Sequence, residues 1–158
     1  MTENNYLNYN FSENNSFASL SIGKFFVDIQ ILYVELRETL VNLIRDEKFE
    51  KVIKSIRQLL LEGGYNNEIY LSILITDNRY IKEINKKFRK KKLSTNVISF
   101  PSNDLKHFEF KQNKCAKKSL YFGDIIISLE KILSEAREEN KNFKNHFFHI
   151  LLHGLLHL

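Results

Sequence analysis

The run IYLSILIT, residues 69 to 76, constrains the fold more than any other segment. It is dense in apolar and β-branched side chains, and far shorter than the roughly 18 residues a membrane span needs. It therefore reads as a buried strand of a sheet core. Asp77 follows at once, where a helix N-cap belongs, and Ile81, Ile84 and Phe88 then recur on one helical face. A strand that hands the chain directly to an amphipathic helix is the building unit of an α/β domain.

The flanking segments extend that unit. Phe25 to Tyr33 (FFVDIQILY) is β-branched and aromatic, and is expected as a first strand. Leu36 to Glu62 places Val52, Ile53, Ile56, Leu59 and Leu60 at helical spacing and stops at Gly63-Gly64, which fits one or two helices. Asn96 to Phe100 is expected as a third strand, ended by the sole proline, Pro101. Residues 102 to 119 are polar and Lys-rich, and read as a loop. Leu120 to Leu129 reads as a fourth strand. Glu130 to Asn140 reads as a helix carrying Ile132, Leu133 and Ala136 on one side, and Phe143 to Leu158 as an apolar last helix. The order β-α-β-α-β-β-α-α implies one α/β (α+β) domain over residues 24 to 158, with a small, mostly mixed four-stranded sheet. Residues 1 to 23, rich in Asn and Ser, are expected to be a loose N-terminal extension.

Composition removes several function classes. At 158 residues and 43% hydrophobic content the chain can bury a real core. A single cysteine, Cys115, excludes an internal disulfide and a Cys-rich zinc ribbon, which suits a reducing cytoplasmic setting. The start of the chain lacks the basic and apolar regions of a signal peptide, and no membrane partner is expected. A formal charge of +5 favours an anionic partner.

Two patterns carry chemistry. His149, His153 and His157 recur every four residues, so each lies about 40° round and 6 Å along from the last, near one helix face. Imidazoles at i and i+4 can share one metal ion, and on so apolar a helix each ring nitrogen needs some partner. His153-Gly154-Leu155-Leu156-His157 has Gly154 where a metalloprotease would carry its general-base Glu, which disfavours peptidase chemistry. Lys86 to Lys92 (KKFRKKK) concentrates six cations in seven residues. Such a run is either a solvated face or a phosphate-binding surface.

Taken in order, four segments resemble the YbeY family of endoribonucleases. His153-Gly154-Leu155-Leu156-His157-Leu158 is similar to the start of the family's HGxLHLxGYDH, whose three histidines bind zinc. Thr95-Asn96-Val97-Ile98-Ser99-Phe100-Pro101 resembles TDVLSFP, with Asn96 where the family usually has Asp. Gly123-Asp124-Ile125-Ile126-Ile127-Ser128 resembles GDIxIS, and Arg89 matches a helix-borne arginine that precedes the SFP strand.

The resemblance implies a metal-dependent, single-strand-specific endoribonuclease acting in small-subunit (16S) rRNA maturation and ribosome quality control. Its partners would be rRNA and the small ribosomal subunit, without a nucleotide cofactor. It implies Zn²⁺ on His153 and His157, with Arg89 as the catalytic cation on the phosphate. RNA would lie along Lys86, Lys87, Arg89, Lys90, Lys91 and Lys92. Ser99 to Pro101 and Asp124 are expected to serve structure. The motif's third histidine would fall beyond Leu158, so zinc binding by this chain is expected to be weak. The alternative is a catalytically inactive fragment, or a basic RNA- or ribosome-binding protein with an incomplete metal site.

Overall fold

A computed structural model of the chain describes residues 8–103 and 119–158. The expected strands and helices form in the expected order, within a residue or two at their ends. A mixed sheet holds β1 (Asn8–Phe11), β2 (Phe17–Ile22), β3 (Phe25–Ile31), β4 (Glu68–Thr76), β5 (Val97–Pro101) and β6 (Ser119–Ser128). Its spatial order is β1-β2-β3-β4-β6-β5; β3, β4 and β6 run parallel, and the other neighbours are antiparallel. The helices are α1 (Arg37–Ile44), α2 (Glu47–Glu62), α3 (Asn78–Arg89), α4 (Leu129–Glu138) and α5 (Phe143–Leu156).

Two expectations need correcting. The sheet has six strands, not four, because the segment read as a loose extension folds from Asn8 onward into β1 and β2. In FASLSI, Ala18, Leu20 and Ile22 alternate with Phe17, Ser19 and Ser21, and the first set is buried. Two local turns make the hairpins. Asn14 Oδ1 accepts from the Ser12 hydroxyl and from the Ser16 N–H and hydroxyl, closing the β1–β2 turn. Gly23, at φ +55°, starts the two-residue β2–β3 turn, where a Cβ would come within 2.4 Å of the Arg57 guanidinium. The Lys-rich loop expected over residues 102 to 119 falls mostly outside the described residues, as does Cys115.

The sheet separates two apolar layers. On one face α1, α2, α4 and α5 cover the main core, with Phe49, Ile53, Ile73, Ile125, Phe147 and Leu151 essentially solvent-free. Each such side chain contributes on the order of 1.5–3 kcal/mol relative to exposure. On the other face, among the described residues, α3 packs Ile81 onto Ile98 and Ile126, with Leu74, Ile84 and Phe100 at the margin. The dense β4 run is therefore buried on both faces only towards its C-terminal end, and Tyr70 stays partly exposed, stacked on Phe26. Among the described residues no helix is long and apolar enough to cross a membrane.

Candidate functional site: a histidine pair and a basic helix end beside β5

The edge strand β5 organises the site. Alternation turns Val97 and Ser99 towards α5 and Ile98 and Phe100 towards α3. Pro101, which cannot donate to a sheet ladder, closes this edge strand opposite Gly123. Gly123 sits at φ +147°, where any Cβ would press to 2.4 Å on the Phe100 carbonyl oxygen.

Helix α5 is fixed along its whole length. Asn142 caps it by accepting from the Asn145 N–H. Near that end Asp46, itself the α2 N-cap, pairs with Lys144, whose hydrogen bond holds the Asp46 carboxyl below its usual range. In the first turn, the buried His146 Nε2 lies 3.0 Å from Glu135 Oε2, which also accepts from Asn96 Nδ2 at 3.0 Å. One carboxylate thus ties α5 to the residue entering β5. Towards the C-terminus, Gly154 packs directly on β5 and β6: a Cβ there would meet Val97 Cγ2 at 2.8 Å and Ile125 Cγ2 at 3.3 Å. The Gly154 position faces the core, so it has no room for the Glu of a peptidase motif.

The Gly154 carbonyl accepts twice, from the Ser99 hydroxyl at 2.7 Å and from the His157 N–H at 3.2 Å. Ser99 therefore braces the last turn, from which both histidines project. The His153 and His157 rings are exposed and touch edge to face, centroids 4.5 Å apart. His149, also exposed, lies one turn earlier. Two imidazoles this close can aim nitrogens at one ion, but they leave at least two tetrahedral positions to other donors. Among the described residues no group of three His, Cys, Asp or Glu side chains is gathered for a metal.

The basic run lies on the other side of β5. Lys86, Lys87 and Arg89 form the exposed last turn of α3, and Lys90, Lys91 and Lys92 continue it, all exposed. Phe88 is not the core residue its spacing suggested. It is 57% exposed and rests edge-on against Phe100, 5.3 Å between centroids, with Lys87 Nζ over its ring. Hence the C-terminal part of β5 contacts the basic helix end through Phe100 and the histidine helix through Ser99.

Three arrangements escaped the sequence reading. They are the His146–Glu135–Asn96 bridge, the buried Asn85 under the basic run, and a Tyr121–Asp124 contact of 2.5 Å on the open sheet face. Asp124 lies inside β6 just past an irregularity in the β4–β6 register, where Phe122 is skipped, and burial together with that carboxylate pushes the Tyr121 hydroxyl up to about 12. Glu135 and His146 lie 11 residues apart on different helices, so no local spacing could have announced them.

The architecture is that of a mixed α/β domain in which a histidine-bearing helix and a cationic helix end share one edge strand. The family model for Endoribonuclease YbeY matches residues 34–158, and the chain belongs to that family. It is 38% identical over 109 residues to an Endoribonuclease YbeY of Bartonella quintana, a match covering 69% of this chain and 63% of that protein. It is 36% identical over 118 residues to the Fusobacterium nucleatum protein of the same name, covering 74% and 68%. For a Clostridium botulinum namesake the figures are 32% over 139 residues, covering 81% and 82%. A solution structure of TM1509 from Thermotoga maritima aligns at TM-score 0.47 and 24% identity, over 82% of this chain and 71% of that one.

Proposed function

We propose that the protein is an endoribonuclease that acts on single-stranded RNA in the maturation of small-subunit rRNA and in ribosome quality control, in the cytoplasm. The observation that carries the reading is the placement of the exposed His153–His157 pair and the Arg89 helix end about one strand, in a chain of the YbeY family. Arg89 presents a planar fork to a phosphate, and the neighbouring lysines hold the RNA backbone without reading sequence. When charge builds on the phosphate oxygens, a fixed guanidinium beside them lowers the barrier. His153 and His157 are proposed as two ligands of a Zn²⁺ ion, which when bound supplies an activated water. Ser99 keeps those two side chains in register by bracing the Gly154 carbonyl.

The test is cleavage of a labelled single-stranded RNA, and of a small-subunit precursor, with and without chelator. Chelator-sensitive cleavage that falls on His153→Ala and on Arg89→Ala supports the reading, and chelator-insensitive cleavage overturns its metal part. A second reading, a basic RNA-binding protein without nuclease activity, is favoured by the two-imidazole donor set of the described residues. Retained RNA binding with no cleavage would select it.

A further inference from the structure

We infer that Asn85 is a positioning residue that holds Lys90, Lys91 and Lys92 as a preformed phosphate-binding turn next to Arg89. The inference rests on the RNA reading above. Asn85 is only 3% exposed, the one polar residue on the buried side of α3. It reaches the basic run three times. Its carbonyl accepts the Lys90 N–H that caps the helix and the Lys91 N–H at 3.3 Å, and its side-chain Nδ2 donates to the Leu93 carbonyl at 2.7 Å. Three lysines therefore sit on a loop pinned at both ends by one buried residue.

Two features of this loop carry a cost. Lys90 adopts the left-handed conformation, φ +57° and ψ +21°, where glycine is the usual residue and a side chain is strained. The Asn85 Oδ1 atom is buried and has no hydrogen-bond partner among the described residues. The amide cannot simply flip to relieve it, because that would set two oxygens 2.7 Å apart at Leu93. Backbone strain and an orphaned buried acceptor recur where a fold holds side chains for a ligand. Here the side chains held are cations that otherwise repel one another, and their natural counter-charge is a run of phosphates. Fixing them before RNA arrives removes part of the ordering that binding would otherwise require.

The experiment measures affinity for a short, labelled single-stranded RNA of mixed sequence over a range of salt concentrations. It compares the full chain with Asn85→Ala, Lys90→Gly and Ile81→Val. Asn85→Ala removes no charge, yet is expected to weaken binding roughly tenfold, and to shallow the log–log salt slope by about 0.7 for each phosphate disengaged. Amide exchange at residues 90 to 93 should rise in the same variant. Lys90→Gly relieves the left-handed residue but also removes one cation, so it is expected to raise the melting temperature and to shallow the salt slope by no more than about one phosphate contact, the scale against which the charge-neutral Asn85→Ala is read. Ile81→Val, one turn earlier and fully buried, should lower the melting temperature and leave affinity and slope alone. If Asn85→Ala binds like wild type, or weakens binding with the salt slope and exchange unchanged, the inference is overturned. If the unaltered chain fails to bind RNA, the RNA reading itself falls.

Discussion

Replacing Gly154 by alanine sets two well-characterised effects against each other. Alanine is intrinsically the better helix residue, by about 1 kcal/mol. Against that, the new methyl group would start 2.8 Å from Val97 Cγ2 and 3.3 Å from Ile125 Cγ2. Neither neighbour can swing aside: both are β-branched, buried, and fixed in adjacent strands. Relief requires α5 to lift from the sheet by about 0.6 Å, to reach ordinary contact near 3.4 Å. That motion stretches the 2.7 Å Ser99–Gly154 bond and disturbs the turn carrying His157. Overpacking of this kind costs about 1–3 kcal/mol; with two fixed neighbours struck the upper part of that range applies, about 2–3 kcal/mol, and after the helix gain the net loss is roughly 1–2 kcal/mol. For a domain of this size the melting temperature should fall by about 2–8 °C. Urea unfolding followed by far-ultraviolet circular dichroism is the assay, since the chain has no tryptophan. Val97→Ala in the same background should recover at least about 1 kcal/mol of coupling, because it removes the methyl that is struck. A Gly154→Ala protein as stable as wild type, or strict additivity in that cycle, would refute the close-packing account.

Four further outcomes are expected. Arg89→Ala should lower RNA cleavage by roughly 10²-fold or more while leaving the melting temperature within a degree or two, since the side chain is exposed; unchanged cleavage removes Arg89 from the reaction. Calorimetric titration of this chain with Zn²⁺ should show only weak binding, because two imidazoles fill half a tetrahedron; sub-micromolar, one-to-one binding contradicts that. Glu135→Ala leaves the amide of Asn96 and the ring of buried His146 without their shared acceptor, and should cost roughly 2–4 kcal/mol in urea unfolding; a loss below about 1 kcal/mol would show that the bridge contributes little. The Tyr121 hydroxyl titrates higher in the folded state, about 12 against 10.0, so its contribution is intact below pH 10 and is lost as pH rises through 12. As the group is partly exposed the effect is at most about 1 kcal/mol, and Tyr121→Phe should flatten the stability profile over that window.

The sequence made legible whatever depends on neighbours along the chain. Asp77 accepts from the Tyr80 N–H as an N-cap should, and the two-glycine stop, the SFP strand and the i, i+4 histidine contact lie where local rules put them. The N-terminal hairpins were hidden differently. Their strands are short and rich in Asn and Ser, with alternation confined to FASLSI, and they gain stability from distant partners. Arg37 donates to the Asn14 carbonyl, and the Arg45 guanidinium lies 4.7 Å over the Phe11 ring. Phe88 failed as a core residue because, among the described residues, α3 turns its Ile81–Asn85 side to the sheet and Phe88 lies at the margin of that contact. The functional geometry divides along the same line. The histidine pair and the cationic run are local patterns, legible as residues but silent about each other. Their common neighbour is β5, and what presses the histidine helix onto that strand is a glycine with no side chain to read. Gly154 first registers as a missing peptidase carboxylate, and its part in the fold is to let α5 approach closely enough for Ser99 to hold the turn of His157. If that is its role, Ser99→Ala should weaken metal or RNA chemistry at the His153–His157 pair more than it lowers stability, because the bond it removes steadies one turn of one helix. A loss of stability with cleavage per folded molecule unchanged would instead assign Ser99 to packing alone.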